Sequence, residues 1–141
     1  MKYRLNDAKV FSDVTDGIAI LIDMESGMYY GMNLFTTNVY ENIVNGADTE
    51  ELLSALASVK GYTEEIKTKF FAFLQELESN DFITEDAAAA AAVHLEFDEY
   101  PNDELDFVLS AYPDAADLLL ADPIHQVKEE LGWQPGREAL K

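Results

Sequence analysis

The chain has 141 residues, 48% of them hydrophobic, with 28 acidic against 9 basic side chains and a net charge of −19. That much apolar material supports a packed core and excludes a disordered chain, and the absence of cysteine excludes disulfide frameworks, thiolate metal sites and thiol nucleophiles. So acidic a surface repels nucleic-acid phosphates, leaving neutral or basic surfaces, or apolar and backbone contacts, as the expected partners.

The opening residues MKYRLNDAKV lack the apolar stretch of a signal peptide, and no run reaches the length of a membrane span. The expectation is a cytoplasmic protein with no membrane partner. Residues Lys9 to Thr15 read as a first strand, and GIAILIDM as a second, with Ile18, Ile20 and Ile22 on one face and Ala19 and Leu21 on the other. Apolar residues on both faces predict a central strand. Asp16-Gly17 and Glu25-Ser26-Gly27 are hairpin turn signals. MYYGM, from Met28 to Met32, is then the third strand of a meander, which needs helices on one face to be stable.

Those helices follow. Asn33 is placed to cap the first, in which Val39, Tyr40, Ile43 and Val44 form a stripe ended by Gly46. Asp48 and Glu51 open a second with capping-box spacing, and Leu52, Leu53, Leu56 and Val59 face inward. Thr63 caps a third, where Ile66, Phe70, Phe73, Leu74 and Leu77 repeat at helical intervals. The FIT run ending at Thr84 closes the compact part.

Composition then shifts. Residues 85–92 are alanine-rich and read as a linker or a short helix. The tail, 93–141, is acidic: residues through Ile83 carry 14 acids and 6 bases, those from Thr84 on 14 acids and 3 bases. VHLEFDEY alternates like a weak strand, and the stretch from Asp106 onward is read as two short helical patterns, the second capped by Asp122 with Pro123 at its first position. The fold expected is α+β: a winged-helix-like domain over 1–84, a three-stranded antiparallel meander followed by three α-helices, plus a C-terminal tail with short helices.

The run DMESGMYYGMN, from Asp23 to Asn33, followed by VYENI, DTEELLSALA and KFFAFLQELESNDFI, resembles the PqqD family. These are small peptide chaperones of pyrroloquinoline quinone biosynthesis, also called RiPP recognition elements. The resemblance spans residues 8–84. It implies a domain that binds the leader segment of a ribosomally made precursor peptide as an added strand and presents it to a modifying enzyme such as a radical SAM protein. Carried onto this chain, the peptide would lie on Met28, Tyr29, Tyr30, Gly31 and Met32, beside a helix face of Lys67, Phe70, Phe71, Leu74 and Glu78. No cofactor, metal or catalytic residue is implied, and a homodimer is compatible with the reading.

The residues themselves agree in part. MYYGM carries neither charge nor proline, so nothing on the strand discourages edge pairing. About four backbone hydrogen bonds at roughly 0.5–1.5 kcal/mol each fall short of micromolar affinity. One or two apolar anchors are therefore needed, and Phe71, at the margin of the buried stripe, is a candidate. The tyrosines read equally well as plain strand formers, and Phe70 as core. A winged-helix protein-interaction or transcription-associated module is the alternative, although the second and third helices offer six glutamates against Lys60, Lys67, Lys69 and Gln75. The only histidines, His94 and His125, have no cysteine beside them; His125 and Glu129 share a helix face but lack a third ligand. A further expectation is that residues 93–133, tethered through the alanine run, either fold back on the body, pairing with or shielding the peptide groove, or dock a partner enzyme.

Overall fold

The computed structural model describes residues 1–95 and 105–114. In chain order they form β1 (Tyr3–Leu5), β2 (Val10–Thr15), β3 (Ile18–Asp23), β4 (Tyr29–Gly31), α1 (Leu34–Val44), α2 (Thr49–Leu56), α3 (Glu64–Ser79), β5 (Ile83–Glu85) and β6 (Ser110–Tyr112). The fold is α+β, with three helices among the described residues and two antiparallel sheets, β1-β5 and β2-β3-β4-β6.

Local chemistry sets the meander. Asp16 and Gly17 both have positive φ (55° and 79°), the requirement of a two-residue turn that matches strand twist, and they join Thr15 to its partner Ile18. At the next turn the Asp23 carboxylate accepts the Glu25 amide at 2.9 Å and the Ser26 amide at 3.4 Å, while Gly27 takes the left-handed conformation (φ 78°). Burial raises the Asp23 pKa, but these two amides and the Lys9 ammonium outweigh it and hold the carboxyl below its ordinary value.

The helices begin where their caps predict. Asn33, Asp48 and Thr63 are extended in backbone, and their side chains accept first-turn amides of α1, α2 and α3. The core lies between the helices and the Ala19/Leu21 face of β3, with Phe35, Tyr40, Leu52, Phe70, Leu77 and Phe82 essentially inaccessible. The isoleucine face of β3 is only half-buried, so the described residues cover this strand fully on one side and partly on the other.

Two pairings go beyond the expected meander. β1 pairs with β5 in register Tyr3↔Glu85 and Leu5↔Ile83, so the FIT run is one strand of a ribbon. β6 pairs with β4 in register Tyr29↔Tyr112, Tyr30↔Ala111 and Gly31↔Ser110. The start of the region read as helical is therefore extended where it is described, because its pairing partner lies some eighty residues earlier. The alanine run is not helical as far as Ala92; Ala89 sits against Gly46 and Ala91 bridges Ala47. The Asp122-capped helix and the His125/Glu129 pair lie outside the described residues.

Candidate peptide-binding groove

β4 is short, uncharged and flanked on both sides: β3 pairs one edge and β6 the other. Tyr30 is half-buried, with its ring edge-on to Phe82 at 5.1 Å between centroids. Met32 is buried, whereas Met28, Tyr29 and Gly31 are half-buried. The strand thus presents mainly its backbone, and residues of the same chain take up the outer edge.

The occupant is the segment Leu105 to Tyr112, bent at Leu105 and Asp106 and in strand conformation at Ser110–Tyr112. Leu105, Phe107 and Leu109 all pack against the core, the every-second-residue pattern of a strand with one apolar face. The Phe107 ring enters a slot between α1 and α3. It stacks on Phe73 at 5.1 Å, meets Phe35 edge-on at 5.0 Å and lies 6.3 Å from Phe70. Those three walls are among the most deeply buried side chains of the molecule.

The start of α1 holds the segment's backbone. Asn33 accepts the Thr36 amide with its side-chain oxygen (2.8 Å) and donates its amide N–H to the Asp106 carbonyl (3.0 Å). The Thr36 hydroxyl donates to that same carbonyl (3.2 Å) and accepts the Val108 amide (2.8 Å). A hydroxyl can do both, so Thr36 imitates one residue of a neighbouring strand. One turn and a half further on, Asn42 accepts the His94 amide at 2.7 Å and donates to the His94 carbonyl at 2.8 Å. One helix therefore reads the extension's backbone at two places, through side chains that are indifferent to its sequence.

Charge supplies the sequence-dependent contact. Lys69 reaches Asp106 at 3.0 Å, and this bond holds the Asp106 carboxyl below its ordinary pKa, against partial burial and with help from the Phe107 amide. Reciprocally, the bond raises the Lys69 pKa. Both partners are about half exposed, so the pair is screened by solvent and contributes little to holding the segment.

Magnitudes indicate how firmly the segment sits. Three ladder pairs and three clamp bonds contribute roughly 3–9 kcal/mol, at about 0.5–1.5 each. Three half-buried apolar side chains add about 2–5 kcal/mol. Ordering eight residues costs roughly 8–16 kcal/mol. The sums nearly cancel, so docking of this segment is marginal.

The residues that the family resemblance points to divide into two groups. Met28 to Met32 line the β4 edge, and Phe70 forms the floor of the slot. Leu74 is buried, while Lys67 and Phe71 are exposed on α3. Lys67 is two residues from Lys69, which puts it about 200° round the helix from the side that meets the segment. Glu78 accepts the Tyr3 hydroxyl at 3.0 Å, an arrangement that, after burial itself, pushes the Tyr3 pKa up to about 12. Sequence reasoning passed over Phe73, Lys69 and Thr36 as groove residues. The available signal was α1 itself, LFTTNVYENIV, which carries one charge in eleven residues and is therefore covered on more than one side.

Among the described residues no group of three His, Asp or Glu side chains could hold a metal ion, and no helix is long and apolar enough to cross a membrane. A separate cleft of about 270 Å³ opens between Asn38 and Glu41 of α1, its C-cap Asn45, and the stretch from Ala91 to His94. Compared with protein-family models, curated proteins and solved structures, the chain matches none.

Proposed function

We propose that this protein is a peptide-recognition module of the PqqD kind. In this reading its winged-helix-like body captures the leader segment of a ribosomally made precursor on the β4 edge and presents it to a modifying enzyme. One observation carries the reading: an extended segment already lies on that edge, paired with Tyr29–Gly31 and anchored by one aromatic ring between α1 and α3. Strand addition supplies affinity through the backbone, and a pocket for one side chain supplies specificity, the usual division in such recognition.

The test is a titration of the ¹⁵N-labelled full chain with the leader segment of a precursor encoded beside its gene. The amides of Met28 to Met32 are expected to shift. The reading fails if no such leader moves them, up to on the order of 1 mM, in either the native chain or a Phe107→Ala variant.

A further inference from the structure

We propose that the groove selects peptides in which an acidic residue immediately precedes an aromatic one, and that the chain's own Leu105–Tyr112 segment is a resident competitor that such a ligand displaces. The inference rests on the peptide-recognition reading above and specifies the ligand class and the regulation of that site.

Geometry gives the selection rule. The residue before the ring seated among Phe35, Phe70 and Phe73 lies in a bend, with its side chain half exposed. Lys69 stands there, and it meets Asp106 at 3.0 Å. Apolar residues two before and two after the ring, Leu105 and Leu109, complete the inward face. The site therefore reads apolar–acidic–aromatic–any–apolar, which is LDFVL in this chain. The neighbouring backbone is gripped by Asn33 and Thr36 whatever the side chains are.

Displaceability follows from the contrast in burial. With the Phe107 ring in place the slot walls Phe35 and Phe70 are completely inaccessible, whereas no residue from Leu105 to Asp114 is fully buried. The walls belong to the core cluster, and Leu105, Phe107 and Leu109 pack against it as partly buried residues. A tethered occupant lowers the apparent affinity of any incoming peptide by the fraction of molecules in which the groove is open. Because the occupant belongs to the same chain, that reduction holds at any protein concentration.

The experiment uses a fluorescein-labelled peptide with the sequence of residues 103–114, titrated by anisotropy into the full-length chain and into a full-length Phe107→Ser, Leu109→Ser variant. The variant is expected to bind the peptide about tenfold or more tightly than the native chain does. Adding Lys69→Glu to the variant should weaken binding several-fold, and a peptide carrying Asp106→Lys should recover it. Equal binding to the native and variant chains, no binding to a folded variant, or indifference to the charge swap overturns the proposal. If the variant does not fold, hydrogen exchange in the native chain decides. The Val108 and Tyr112 amides should exchange much faster than that of Ala19, and equal protection overturns the proposal. The two failures separate cleanly. A labelled peptide that does not bind while a leader still moves the Met28 to Met32 amides discards the selection rule alone. A bound peptide with no response to any leader discards the maturation role alone.

Discussion

Asn33 directs its carbonyl oxygen at the Thr36 amide and its N–H at the Asp106 carbonyl, so the residue that starts α1 also fastens the segment beside it. Thr36 shares the task through a fully buried hydroxyl. Replacing Thr36 with valine keeps its shape but leaves the Val108 amide without that acceptor, a loss of about 1–3 kcal/mol. Urea unfolding should report the loss, with fast exchange confined to Val108 and its neighbours if the segment detaches alone. Asp23 gives a second test. Its carboxyl titrates below the ordinary value of 3.8, so its contribution is present above that pH and is lost as pH falls through the lowered folded pKa. Asp23→Asn keeps one acceptor but loses the charge near Lys9, 3.8 Å away. It should cost about 1–2 kcal/mol at neutral pH, and its stability should fall less steeply than the native protein's as acid is added.

At the scale of elements, the turns and helix starts were legible because each depends on residues within four positions of one another. Asp16-Gly17, Gly27 and the three caps needed no knowledge of the rest of the chain. β1, β5 and β6 were not legible in the same way. Each is three residues long, too short for an alternating pattern to stand out, and each exists through a partner far away in sequence. The LDFVL run does alternate, but Val108 fills the outward position and masks the period. Gly46 is the element-scale test. It lies at φ 96°, and a Cβ there would sit 2.5 Å from the Ala89 Cβ. Gly46→Ala should cost at least about 1 kcal/mol from the backbone alone and should push the alanine run off the end of α1. Thermal unfolding gives the first effect and exchange at the Ala89 and His94 amides the second.

Across the whole molecule, α1 is the organising element, with the sheet on one side and the C-terminal extension on the other. Its buried polar residues, Thr36, Thr37, Asn38 and Asn42, would be costly in a helix with one covered face. Here Thr37 takes the Ala19 amide of β3, while Thr36 and Asn42 serve the extension. The groove is the seam between body and extension, marginally closed by eight residues. The most direct test of the account is hydrogen exchange on the full-length chain, with and without a bound leader peptide. If an incoming strand replaces β6, the Ser110 and Tyr112 amides should lose protection while the Tyr29 and Gly31 amides, which face that edge, keep or gain it. A bound leader that leaves β6 as protected as before, with no change along β4, would contradict the account.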